Sequence, residues 1–90
     1  MKKPSKLSQQ LEAAANLLQT QGWCQGREKD RKGRYCVYGA CTAVAVEDWI
    51  RVNYWFHAKK GQGAVSWNDR PGASKIRVIQ ALRACAKDLA

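Results

Sequence analysis

Ninety residues carry 16 Lys plus Arg against seven Asp plus Glu, a formal net charge of +9, and a chain this short holds one domain and excludes a multidomain machine. Hydrophobic residues make up 46%, with four Trp and only two Pro, which separates the chain from disordered ones and predicts a single globular domain over 1–90 with 1–4 flexible. The charge favours an acidic partner without naming it.

Met1-Lys2-Lys3 resembles the charged start of a secretory leader, but Pro4-Ser5-Lys6 follows and no apolar stretch succeeds it, so no export signal is read and a soluble cytoplasmic protein is expected. Leu7, Leu11, Ala14, Ala15 and Leu18 recur at helical spacing, with Gln10, Glu12, Asn16 and Gln19 on the other side. This pattern predicts an amphipathic helix over Ser5 to Gln21, stopped by Gly22. Arg27 to Arg34 then places five basic and two acidic residues in eight positions, the composition of a solvated loop, free to serve as a contact loop.

From Cys36 through Val46 the chain is apolar at every helical azimuth, as in a helix enclosed by its neighbours. Gly39 inside it suggests a close helix–helix approach. Tyr35 to Val46 is too short an apolar run to cross a membrane, which needs about 20 residues. Trp49, Ile50, Val52, Tyr54, Trp55 and Phe56 extend this helix or turn into a short strand; helix is preferred. His57 to Gly63 reads as a flexible basic loop and Ala64 to Gly72 as irregular chain rich in turn formers. Ser74 is placed to cap a last helix running to about Leu89, with Val78, Ile79, Leu82, Cys85, Ala86 and Leu89 on its apolar stripe and Arg77, Gln80, Arg83 and Lys87 opposite. The expected fold is therefore all-α: three to four helices with two basic loops, the apolar central helix sandwiched between the terminal ones. A short β element near 52–56 or 64–67 is the alternative.

Cys24, Cys36, Cys41 and Cys85 would suit two disulfides outside a cell, but thiols stay reduced inside one. Their spacing lacks the close pairs of zinc sites, and on one helix Cys36 and Cys41 would point about 140° apart. With His57 the only histidine, no metal and no cofactor is expected. The cysteines read as small buried hydrophobes.

Three stretches occur in order: Gly22-Trp23-Cys24-Gln25-Gly26, Cys36-Val37-Tyr38-Gly39-Ala40 and Trp67-Asn68-Asp69-Arg70-Pro71-Gly72. Together they resemble an uncharacterised family of small actinobacterial and bacteriophage proteins with Trp-x-Gln, Cys-x-x-Gly-Ala and Trp-Asn-Asp motifs. The resemblance runs from Leu11 to Ala86 and implies a phage or prophage origin, hence the host cytoplasm, and no activity. Physically, Trp23 and Trp67 can anchor Gln25, Asn68 and Asp69, with Cys36, as a polar pocket for a small ligand or catalysis. The reading favoured by the turn composition of Asn68-Asp69-Arg70-Pro71-Gly72 is that the amides and the carboxylate staple loops by capping backbone groups.

Catalysis finds little support: no cysteine signature is present, His57 precedes Lys59-Lys60 on an expected surface loop, and only Asp69 among the acids lies in a constrained motif. The remaining candidates are basic: Arg27, Lys29, Arg31, Lys32 and Arg34 beside Trp23 and Tyr35; Lys59 and Lys60; and Arg77, Arg83 and Lys87. They can track phosphates while a ring stacks a base, or form a merely solvated surface. No base-reading motif occurs. The reading is a non-enzymatic binding module that engages nucleic acid or an acidic host protein, with oligomeric state not legible.

Overall fold

A computed structural model describes residues 5–90; the expected flexibility of 1–4 and the leader-like Met1-Lys2-Lys3 lie outside them. Five helices and no strand occur among the described residues: α1 (Lys6–Gln21), α2 (Val37–Ala43), α3 (Trp49–Lys60), α4 (Ala64–Asp69) and α5 (Lys75–Asp88). The all-α class holds. The two alternative β positions, 52–56 and 64–67, are helical.

The terminal helices form where their caps and stripes place them. The Ser5 hydroxyl accepts the Ser8 N–H, Gly22 closes α1 at φ 99°, and Ser74 caps α5 through the Arg77 N–H. Leu7, Leu11, Ala14, Ala15 and Leu18 of α1 are buried, as are Val78, Ala81, Leu82, Cys85 and Ala86 of α5. These two helices pack on each other antiparallel. At one end the Ser5 hydroxyl donates to Leu89 O at 3.0 Å, and at the other Lys75 Nζ donates to Gln19 O at 3.2 Å. The central helix is therefore not sandwiched between them. Instead α2 lies against α1 and α4, because seven residues are too short to fill the seam between helices of 16 and 14.

The expected long apolar helix from Cys36 is shorter, and only part of it is enclosed. Val37, Gly39, Ala40 and Cys41 are buried, while Thr42, Ala43 and Ala45 are exposed. A Schellman motif ends α2: Val46 N–H donates to Cys41 O at 2.9 Å and Ala45 N–H to Thr42 O at 3.0 Å. Ala45 takes the left-handed position at φ 57°, where glycine is usual. Replacing Ala45 with Gly is thus expected to stabilise the fold by about 1 kcal/mol. A higher urea midpoint at unchanged slope would register the gain; an unchanged or lower midpoint would refute it.

Gly39 does mark a close approach, but to a loop and not to a helix. A Cβ built on it would stand 2.0 Å from the Glu28 carbonyl oxygen. That carbonyl is fixed because it accepts the Cys36 N–H at 3.1 Å.

After the break at Val44–Asp48, α3 starts on Asp48, whose carboxylate accepts the Arg51 N–H at 3.0 Å. Val52, Trp55 and Phe56 are buried at helical spacing, while Ile50 and Tyr54 point outward. His57, Lys59 and Lys60 belong to the last turn of α3 and not to a loop, which shortens to Gly61–Gly63. The segment 64–69, expected to be irregular, is α4. Its first amide is capped from a neighbouring helix, with Asn53 Oδ1 accepting the Ala64 N–H at 2.8 Å. Trp55, Phe56 and Trp67 stack edge to face or tilted, with centroids 5.1 and 5.6 Å apart.

Candidate functional site

The structure brings Trp23, Gln25, Asn68 and Asp69 together. Asn68, fully buried on α4, is the hub. Its Oδ1 accepts the Trp23 indole N–H at 2.7 Å and the Val37 N–H at 3.0 Å. Its Nδ2 donates to Cys24 O at 3.2 Å and to Asp69 Oδ1 at 2.9 Å. An amide side chain has two hydrogens and two lone pairs, so Asn68 has nothing left for a ligand. Gln25 Nε2 donates to Asn68 O at 2.9 Å and Arg70 O at 3.2 Å, while Asp69 Oδ1 accepts the Gly26 N–H at 3.0 Å. These bonds tie the 23–26 loop and the start of α2 to α4. Trp67, the other aromatic of the set, turns away into the Phe56 contact.

Cys36 sits at the N-terminus of α2, where its sulfur accepts the Gly39 N–H at 3.3 Å. All four cysteines are free and buried. Burial raises the Cys36 thiol against the pull of the Gly39 and Tyr38 amides, and burial together with Asp30 raises Cys24. Burial pushes Cys41 up to about 12, with Cys85 and Cys36 adding to it. Burial likewise lifts Cys85 to about 12, Asp88 adding and Arg51 opposing. Thiols held neutral in this way are weak nucleophiles and weak metal ligands. No three His, Cys, Asp or Glu side chains gather around one point among the described residues.

The raised thiols carry a sign for stability. Unfolded cysteines ionise from about pH 8.5 to 9 upward while the folded ones stay protonated, so stability is full below that range and falls as pH climbs toward the folded values. Cys41 and Cys85 together are expected to remove about 2 to 3 kcal/mol between about pH 8 and 10. Urea unfolding of wild type and of C41A/C85A checks this: the variant starts less stable but should show a flatter alkaline slope. Parallel slopes would contradict it.

The 27–34 loop is ordered. Desolvation opposes ionisation of Asp30, yet the Arg34 and Lys32 amides and the Arg34 guanidinium together hold its carboxyl below the ordinary value. Arg34 Nε lies 2.6 Å from Asp30 Oδ2, and Lys29 Nζ stands 5.2 Å from the Tyr35 ring centre. Arg27, Arg31 and Lys32 project into solvent. On α5 the expected basic face divides. Arg77 and Lys87 are exposed, but Arg83 is drawn onto α1, bonding Glu12, Asn16 and Gln19 at 3.5, 3.3 and 2.8 Å.

A groove runs between the ends of α3 and α4 and the body of α5, with a volume of about 620 Å³, lined by Lys60, Trp67, Arg70, Arg77, Gln80, Ala81 and Ala84. The Arg70 guanidinium lies 3.9 Å above the Trp67 ring centre and donates to Trp67 O at 2.6 Å. Lys60 Nζ approaches the same ring at 5.3 Å. Arg70 and Gln80 complete a set of which sequence reading offered only Lys60, Trp67 and Arg77. The available signal was Arg70 three residues after Trp67, a helical spacing that puts a cation on an indole.

No helix among the described residues is long and apolar enough to span a membrane. No curated protein and no solved structure matches the chain. A family model described as "Family of unknown function (DUF6197)" matches residues 2–88, and the chain belongs to that family.

Proposed function

We propose that this protein is a non-enzymatic module that binds nucleic acid through its phosphate backbone, without reading base sequence, in the cytoplasm of a bacterial host. The observation that supports it is the unequal use of charge. Glu12, Asp30 and Glu47 pair with Arg83, Arg34 and Lys6. Asp48 caps α3, Asp69 holds Gly26, and Asp88 accepts the Trp55 indole N–H at 2.7 Å. Apart from Lys6, Arg34 and Arg83, no Lys or Arg of the described residues makes an ion pair. Six of the seven acids are thus committed to contacts within the molecule, Glu28 alone staying exposed outside this set, while most cations are left open. The result is a positive field over the surface, the electrostatic footprint of a polyanion binder. The order of the Trp-x-Gln, Cys-x-x-Gly-Ala and Trp-Asn-Asp stretches adds a phage or prophage setting.

Binding isotherms with random-sequence DNA and RNA at two salt concentrations test the reading. Each phosphate neutralised adds about 0.7 to 0.9 to the slope of log K against log salt. A steep negative slope, equal across sequences, is expected. No binding, or a flat response, overturns nucleic acid as the partner; nuclease-resistant capture of an acidic host protein would then replace it.

A further inference from the structure

We propose that the groove between α3, α4 and α5 is the subsite that holds the phosphodiester backbone, an inference that rests on the nucleic-acid reading and assigns it a place. Lys60 at the end of α3, Arg70 just after α4 and Arg77 on α5 line the groove, and no carboxylate is among its lining residues. Three like charges gathered without a counter-charge repel one another, and an anion lying among them relieves that repulsion.

Two of the three cations are already held in place. Arg70 is fixed over Trp67 by stacking at 3.9 Å and by one hydrogen bond to the Trp67 carbonyl, which leaves the rest of its donor fork for a ligand. Lys60 rests on the same indole. Little side-chain freedom remains to be lost on binding, which favours affinity. Trp67 itself is only 7% exposed, so it supports the cations and offers no face for stacking a base. The groove therefore grips phosphate and leaves base identity unread. Its small apolar members, Ala81 and Ala84, lack the large anchors that centre a protein interface, which favours nucleic acid over an acidic protein.

The test measures fluorescence anisotropy of a labelled random-sequence duplex with wild type, K60Q/R77Q and R31Q/K32Q. The two variants lose the same charge, one from the groove and one from the 27–34 loop, and the first leaves the Arg70–Trp67 stack intact. K60Q/R77Q is expected to weaken binding about tenfold or more at low salt and to take about 1.8 off the salt slope, while R31Q/K32Q changes both clearly less. R77Q alone, at an exposed position of α5, should show about half the slope change, and thermal unfolding of each variant confirms that it is folded. Equal losses in both double variants, or none in the groove variant, overturn the groove and leave the nucleic-acid reading standing. Absence of wild-type binding overturns both.

Discussion

Replacing Asn68 with Ala is expected to lower the unfolding free energy by about 3 to 4 kcal/mol and the midpoint temperature by about 15 °C or more. The residue is fully buried and spends all four of its hydrogen-bonding positions on Trp23, Val37, Cys24 and Asp69. Truncation strands the Val37 N–H and the Cys24 carbonyl away from water, and each such group costs about 1 to 3 kcal/mol. The near-isosteric Asn68→Asp separates hydrogen bonding from volume. It turns a carboxylate oxygen toward Cys24 O and Asp69, so it should be worse than Ala at neutral pH. A carboxyl buried in this way has a folded pKa above its unfolded one, so its contribution is restored below the unfolded value and lost as pH rises. Urea titrations at neutral and mildly acidic pH measure both. A loss under about 1 kcal/mol for N68A would mean that the loop is held by something else.

Gly39→Ala is expected to cost about 3 kcal/mol, and here the sign alone is informative. In an unobstructed helix this change stabilises by about 1 kcal/mol. At Gly39 the added methyl would meet the Glu28 carbonyl oxygen at 2.0 Å. The methyl is fixed directly to the α2 backbone and the oxygen is itself backbone, so neither can swing aside, and moving the carbonyl breaks its bond to the Cys36 N–H. Overpacking of this kind costs about 1 to 3 kcal/mol or more. Thermal unfolding decides it: a stabilised G39A would show that loop and helix separate freely.

Legibility followed the range of the interactions. Helices α1 and α5 were readable because Gly22 and Ser74 mark an end of each in the residues themselves and their apolar stripes are long; Ser5, read as the first helical residue, is the cap of α1. The break between α2 and α3 was not, because the left-handed residue that stops α2 is Ala45, which carries no local mark. Nor was α4: Ser66, Asn68, Asp69, Pro71 and Gly72 have turn composition, and the first amide of α4 is capped by Asn53 on another helix. In the candidate site, the grouping of Gln25, Asn68 and Asp69 about the Trp motifs was legible as a set, since indole and amide groups need partners when buried. Which partners they take depends on contacts more than forty residues apart in the chain. The groove was hidden for a related reason: Arg77 lies on a helix that could be read, but Lys60 and Arg70 flank α4 in a stretch that reads as loop and irregular chain.

The pairing of the first helix with the last sets how the chain must fold. The Ser5 hydroxyl bonds Leu89 O across a sequence separation of 84, and the α1–α5 seam supplies much of the buried apolar surface. Helical proteins usually fold quickly because their contacts are local and their contact order is low. Here the largest seam joins two segments far apart in sequence, α1 and α5, and that closure entropy is met before the seam contributes. During synthesis the face of α1 that meets α5 stays uncovered until the α5 segment has been made, although α2 can pack on α1 earlier. Slower folding than its helix content suggests, together with a nascent stage that needs protection from aggregation, is built into this topology.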